Sequence, residues 1–287
     1  MKVDLFGDST PETDDEILAG IGDLSLSPVV LVAFSGGNDS RALAIVAKTW
    51  AQRHGIDLRL AAIRTGLQMD GWESSVLAFA RLAGLPVEFY TGQGRAYYTE
   101  FVEQFGWPGN AKHSQIQTRL KGRAFRRMKK HYGTGLVVLS GIRKAESIRR
   151  SRLVSPYSTR EGGRFVNPLF NWPDSRVYDC LDANGLPYAP GRQWDCKCGA
   201  TAEDPAGEWA EIERVAPELH GYLCSLQNPA PWQWGQYNPK THLVVRQLDA
   251  GQMSMFDDDG SLEAFPVCVA CWRDKAARAE QAANDWG

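Results

Sequence analysis

The sequence predicts an α/β fold: a doubly wound, mostly parallel sheet with a smaller, irregular, Cys-containing C-terminal module. Three observations predict it. Apolar runs of strand length recur between segments of helical spacing. The first of those runs opens straight into a Gly/Ser loop at the start of a helix. Past about residue 175 the alternation gives way to Pro, Gly, Trp and Cys.

The elements follow in order. Residues 1–27 are polar and read as a loose arm with one short helix. "PVVLVAF" (Pro28–Phe34) is continuously apolar, as a strand buried on both faces must be. "DSRALAIVAKTWAQRHG" has helical spacing and closes on Gly55, a candidate C′ residue. "LRLAAIR" (Leu58–Arg64) is a second strand, "GWESSVLAFARLAGL" a helix and "PVEFY" a third strand. "SQIQTRLKGRAFRRMKKHYG" is a basic helix, and "GLVVLSG" (Gly135–Gly141) a further strand. "DSRVYDCLDANG" is a short helix, and one more is expected near Glu208–Gln227. The expected division is an arm at 1–27, an α/β domain at 28–175 and the C-terminal module at 176–287.

Composition narrows the function classes. The 287 residues are 43% hydrophobic and 23% charged, with a net charge of −2. That is ordinary globular usage with no overall nucleic-acid footprint. The N-terminal stretch is acidic and lacks the apolar segment of a signal peptide. No run approaches the roughly 18 apolar residues of a membrane span. A cytoplasmic setting without membrane contact is expected. Its six cysteines are then reduced, and close pairs read as metal or cluster ligands before disulfides.

The loop "SGGNDS" (Ser35–Ser40) carries the clearest chemistry. Gly36 and Gly37 let backbone N–H groups approach an anion closely. The following helix N-terminus adds its positive dipole end. Ser35 and Ser40 can donate hydroxyl hydrogen bonds. Asp39 can cap the helix or help bind a cation. The loop has no Walker-type lysine.

This loop resembles the Ser-Gly-Gly-x-Asp-Ser hallmark of the PP-loop ATP pyrophosphatases, with Asn38 at the variable position. The resemblance implies cleavage of ATP between its α and β phosphates, with the loop holding the departing pyrophosphate. Three further stretches are similar to the phosphoadenosine phosphosulfate (PAPS) reductase family within that superfamily. "SGIRKAESIRRSRL" (Ser140–Leu153) resembles its Gly-x-Arg-x-x-Glu-Ser-x-x-Arg segment. "HSQIQTRLKGRAFRRM" (His113–Met128) resembles its basic segment. "VNPLFNWPDSRVYDCLDANGLPYAP" (Val166–Pro190) resembles its Pro-Leu-x-x-Trp and Gly-Leu-Pro-Tyr segment. The likeness spans residues 28–227.

The resemblance assigns residues. Ser35, Gly36, Gly37, Asn38, Asp39 and Ser40 would hold the phosphates of ATP with Mg²⁺. Arg64 and Thr65, in "IRTGLQ" (Ile63–Gln68), would line the adenine. Gly141, Arg143, Arg149 and Arg150 would face the substrate phosphate or the α-phosphate, with Asp39, Arg143 and Arg149 as the catalytic set. Arg119 and Lys121 add cationic groups, since arginine forks bind such anions bidentately. Arg126, Arg127, Lys129 and Lys130 read as a solvated helix face. Glu146 orients an arginine, binds Mg²⁺ or makes a surface ion pair.

Departures from the family pattern decide between reactions. PAPS reductases carry a catalytic cysteine in a C-terminal Glu-Cys-Gly-Leu-His segment, which this sequence lacks, and their loop is degenerate where this one is intact. Both favour ATP-driven adenylation over reduction of PAPS. The pattern is closest to the phage and DNA-phosphorothioation members. A sulfonucleotide reductase and a non-catalytic nucleotide-binding subunit stand as the alternatives. The implied partners are an adenine nucleotide, a nucleic-acid or small-molecule acceptor and a sulfur-donor protein.

"DCKCG" and "CVACW" supply two close pairs, Cys196 with Cys198 and Cys268 with Cys271. Four thiolates suffice for tetrahedral Zn²⁺ or a [4Fe–4S] cluster. Free thiols or a redox-active CxxC are the other readings. The resemblance tilts the choice to the cluster. Cys180 and Cys224 read as core residues on helices, with Cys224 a candidate alternative ligand. "PAPWQWGQYNPKTH" either stacks a base or forms the core of the module. His220 and His242 read as surface or packing residues.

Overall fold

The computed structural model describes residues 13–22, 24, 29–105, 108, 113–133, 135–146, 150, 153, 155–160, 163–189, 196–198, 205–226, 236–238 and 243–245. The main sheet has six strands: β1 (Val30–Ala33), β2 (Leu58–Arg64), β3 (Val87–Thr91), β4 (Val137–Leu139), β5 (Tyr157–Arg160) and β6 (Gly163–Val166). Their order is β3-β2-β1-β4-β6-β5. β1 is parallel to β2 and to β4, pairing Val30 with Leu58 on one side and Val137 on the other. β4 is parallel to β6, and β5 is antiparallel to β6 at the sheet edge. Central strands covered on both faces cannot alternate polar and apolar residues. Accordingly Val30, Leu31, Val32, Val137, Val138 and Leu139 are all buried.

The helices are α1 (Asp14–Ala19), α2 (Asn38–His54), α3 (Trp72–Ala83), α4 (Gly94–Phe105), α5 (His113–Tyr132), α6 (Asp174–Ala183), α7 (Pro205–Val215) and α8 (Pro217–Ser225). A short ladder pairs β7 (Gln236–Asn238) with β8 (Leu243–Val245). α2 ends as its sequence predicts, on Gly55 in the left-handed region (φ 65°), whose N–H bonds the Ala51 carbonyl. The mostly parallel, helix-flanked α/β sheet is the fold class the sequence predicts.

The strand order places the site. From β1 the chain builds outward through β2 and β3, then returns to add β4 on the other side of β1. The order therefore reverses between β1 and β4. In open α/β sheets that switch point opens a crevice at the carboxyl ends of the strands. The loop after β1 and the segment after β4 flank it.

Four elements differ from the sequence expectation. The stretch at 14–21 is packed rather than loose. Thr13 and Glu16 form a capping box, Ile17 and Leu18 are buried, and Tyr157 donates to the Ile17 carbonyl at 3.0 Å. The single helix expected near 208–227 is two, α7 and α8. Pro217 has no N–H to continue the ladder, and Ala216 is non-helical at φ −142°. α4 and the β5–β6 hairpin carry weaker patterns, and the sequence did not mark them.

Two compact units interleave along the chain. One comprises Met1–Ile63, Glu73–Tyr90 and Phe125–Trp194; the other Arg64–Trp72, Thr91–Ala124 and Asp195–Gly287. Among the described residues no helix is long and apolar enough to cross a membrane.

Candidate functional site

The first unit holds the Ser35–Ser40 loop. Gly36 sits at φ 91°, a conformation that a side chain disfavours. The loop folds on itself through its serines. Ser40 Oγ accepts from the Gly36 N–H (3.1 Å) and donates to the Gly37 carbonyl (2.8 Å). The Gly37 N–H reaches Ser35 Oγ at 3.3 Å, a long bond. Gly37 is the N-cap of α2 and supplies no side-chain cap. The first-turn N–H groups of a 17-residue helix thus begin at a bare glycine, an arrangement suited to an anion.

Arg143 braces this loop from the segment after β4. It is buried, at 5% exposed, and each of its three guanidinium nitrogens has a partner. Nε donates to Asp39 Oδ1 at 2.9 Å, Nη1 to the Trp172 carbonyl at 3.1 Å, and Nη2 pairs with Asp174 at 2.8 Å. Gly141 passes so close that a Cβ there would lie 3.3 Å from the backbone of Asp39. Asp39, Gly141 and Arg143 are therefore one packed unit at the switch point. Arg143 orients Asp39, so its place is that of a brace, while Asp39 keeps a second carboxylate oxygen and is part-exposed.

A second arginine, which the sequence reading passed over, also holds the loop. Arg41 is 3% exposed. Its Nε donates to the Gly36 carbonyl (2.9 Å), Nη1 to the Pro187 carbonyl (2.8 Å) and Nη2 to Ser75 Oγ (3.1 Å). Its guanidinium carbon also lies 5.4 Å from the Phe79 ring centroid. Asn38 makes a parallel tie, its Oδ1 accepting from the Ala189 N–H at 2.6 Å. The Gly-Leu-Pro-Tyr segment is thus fastened to the loop at two points. The sequence signal for Arg41 was a charged residue standing three before Ala44 and six before Ala47, on the buried stripe of α2.

The remaining assigned residues of this unit lie near 146–150. Glu146 accepts from the Arg143 N–H (3.1 Å) and pairs with Arg150. It orients an arginine, one of the roles the sequence offered it. Arg149 lies outside the described residues.

The second unit holds the other assigned residues. Thr65 is buried at 1% exposed, and its Oγ1 accepts from the Leu67 N–H. Gln68 Oε1 accepts from both the Thr65 and Gly66 N–H groups, at 3.2 and 2.9 Å. The Arg64 carbonyl accepts from the Gly92 N–H. Arg119 is exposed on α5 and Lys121 part-buried, while Arg126, Arg127 and Lys130 are exposed as a solvated face should be.

Cys196 and Cys198 also belong to this unit, with Cys198 buried. Tyr98 donates to the Cys198 carbonyl at 2.7 Å. Burial first, and then the nearby sulfurs of Cys198 and Cys196, push its hydroxyl well above the ordinary tyrosine range. Lys197, between the two cysteines, is 4% exposed and faces Glu211 (3.5 Å) and Glu208 (3.7 Å) of α7. Cys268 and Cys271 lie outside the described residues, as does the Trp-rich loop apart from β7. Among the described residues no cluster of three or more His, Cys, Asp or Glu is placed to hold a metal ion. Cys224 is exposed rather than core, with Sγ 3.5 Å from His220 Nε2, while Leu219 and Leu223 are the buried residues of α8. Cys180 is half-buried on α6, and burial pushes its thiol up.

Comparison with known proteins supplies the family. The model of the phosphoadenosine phosphosulfate reductase domain matches residues 29–192, and the chain belongs to that family. Among solved structures it is similar to the phosphoadenylyl-sulfate (PAPS) reductase from Candida auris in its phosphate complex, at 16% identity over 62% of this chain and 83% of that one, TM-score 0.42. It is also similar to the U34-tRNA thiolase NcsA from Methanococcus maripaludis with its [4Fe-4S] cluster, at 13% identity over 73% and 76%, TM-score 0.44. The FMN adenylyltransferase from Candida glabrata gives 13% identity over 93% and 78%, TM-score 0.45. Likenesses this distant bear on neither substrate nor cofactor. No curated protein matches the chain.

Proposed function

We propose that this PAPS reductase family member binds ATP through Ser35–Ser40 and cleaves it to AMP and pyrophosphate, adenylating an acceptor. An oxygen of the acceptor attacks the α-phosphorus, the bond to the β-phosphate's bridging oxygen breaks, and pyrophosphate leaves in the loop. A sulfur nucleophile then displaces AMP from the acceptor, which makes the overall outcome sulfur transfer to a small molecule or a nucleic acid. A cytoplasmic setting suits this chemistry. The observation that carries the reading is the intact loop at the β1/β4 switch point, with Gly36 at φ 91° and an uncapped helix start behind it.

Mg²⁺ fits the residues present. It is held in such sites by one or two carboxylates, substrate phosphates and water. Asp39 offers the carboxylate oxygen that Arg143 leaves open. When bound, Mg²⁺ neutralises charge on the phosphates. Arg64 and Thr65 are proposed for the adenine edge, and Arg149 and Arg150 for the substrate phosphate. Cys196 and Cys198 fit half of a four-thiolate set, which Cys268 and Cys271 would complete around a [4Fe–4S] cluster or Zn²⁺. The cluster would supply a sulfur-handling centre, and zinc a structural clamp. Metal analysis and the visible spectrum of anaerobically purified protein separate the two.

The test is incubation with α-labelled ATP and candidate acceptors. AMP and pyrophosphate in equal amounts are expected. Absence of AMP with every acceptor class sinks the reading. Family membership favours one alternative, a sulfonucleotide reductase. Thioredoxin-dependent release of sulfite from PAPS, with no turnover of ATP, would establish that alternative in its place.

A further inference from the structure

We propose that Arg41 is the fixed counter-charge of the Ser35–Ser40 loop: a positioning residue that strengthens the hold on a pyrophosphate-class anion without touching it. The inference rests on the ATP reading above and names a fixed cation for a loop that has no Walker-type lysine.

The contrast with Arg143 carries the argument. Arg143 is buried against two carboxylates, Asp39 and Asp174. Arg41 is buried equally deeply, yet its three hydrogen bonds go to two carbonyls and a hydroxyl. Among the described residues no carboxylate pairs with it. Neutral acceptors satisfy a guanidinium's donors and leave its charge standing. A buried charge without a counter-ion is costly, so a position that keeps one has a use for the field. Burial alone depresses the Arg41 pKa, as expected where nothing nearby compensates.

The field has a direct route to the ligand site. Arg41 Nε donates to the Gly36 carbonyl, which shares a peptide group with the Gly37 N–H. In a trans peptide those two bonds point opposite ways, so their dipoles align and add. A cation on the carbonyl side polarises the N–H on the other, making it a stronger donor. Among the described residues that N–H is held only by the long contact to Ser35 Oγ, at 3.3 Å, which an anion can replace. A charge placed behind the backbone attracts the phosphates but cannot clamp a terminal phosphoryl group. That suits a loop that must release pyrophosphate whole. The same guanidinium holds the Pro187 carbonyl, so the loop and the Gly-Leu-Pro-Tyr segment share one cation.

The experiment measures inorganic pyrophosphate binding to the full chain by calorimetry, with Arg41→Met, Arg41→Gln and Arg41→Lys beside the wild type and unfolding midpoints recorded for each. Met and Gln should weaken binding by about tenfold or more, as the loss of a nearby unscreened charge requires. Lys should recover most of the affinity despite losing the fork. Should Arg41→Met fail to fold, Arg41→Gln against Arg41→Lys carries the same comparison. Affinity unchanged in Gln, or Lys as weak as Gln, overturns the counter-charge role and leaves the ATP reading standing. A wild type that binds no pyrophosphate overturns both.

Discussion

Arg143 and Arg41 both hold one loop and solve burial in opposite ways. Arg143 is a closed electrostatic unit, with Asp39 and Asp174 cancelling its charge and the Trp172 carbonyl holding its third nitrogen. Arg41 is open, a cation with neutral partners. The difference teaches that two buried arginines tied to the same loop can have separate duties. One fixes shape and the other supplies charge. Shape should show in stability, and charge in anion affinity.

The largest stability effect should follow Arg143→Met. It strips the part-buried Asp39 of its donor and cuts the tie to Trp172, for a loss of about 2–3 kcal/mol in urea denaturation. A loss under about 1 kcal/mol would mean that Arg143 is no brace, and the comparison would collapse. Next is Gly141→Ala. Its Cβ would press on Asp39 at 3.3 Å, costing about 1–2 kcal/mol and displacing the loop, so pyrophosphate affinity should fall with stability. Stability lost with affinity intact would detach the packed unit from the ligand site.

Asn38→Ala should cost about 1 kcal/mol by removing the acceptor at 2.6 Å from the Ala189 N–H. Faster amide hydrogen exchange at Ala189 is the local readout, and unaltered exchange there would refute the tie. The smallest effect belongs to Asp174→Asn, below about 0.5 kcal/mol, because that carboxylate is 71% exposed and screened by water. A larger loss would show Arg143 relying on Asp174 more than on Asp39.

The sequence made the loop legible because everything that defines it is local. An apolar strand, two glycines, two serines and an amphipathic helix follow one another from Val30 to His54. The same holds for the basic face of α5. What closes the site is not local. Asp39 meets Arg143 and Arg41 meets Pro187 across more than a hundred residues, pairings that strand order creates and composition cannot encode. Arg143 was picked out as a phosphate ligand because its motif marks the position, while its two carboxylate partners are visible only in the fold. Arg41 escaped notice because one of the four charged residues of α2 looks like ordinary solvation until its burial is known. Cys224 was misjudged for a simpler reason: α8 buries Leu219 and Leu223 and leaves the neighbouring Cys224 exposed.

The interleaving of the two compact units has a consequence for how the protein can be divided. The backbone passes from one unit to the other at 63/64, 72/73, 90/91, 124/125 and 194/195. No single cut, whether by a protease or by a stop codon, yields two pieces that each keep a whole unit. Ending the chain at residue 175, where composition changes, would strand Arg64–Trp72 and Thr91–Ala124 without the rest of their own unit. Unlike beads on a string, the two units cannot be swapped, shed or grafted one at a time, and they must be inherited, synthesised and degraded together.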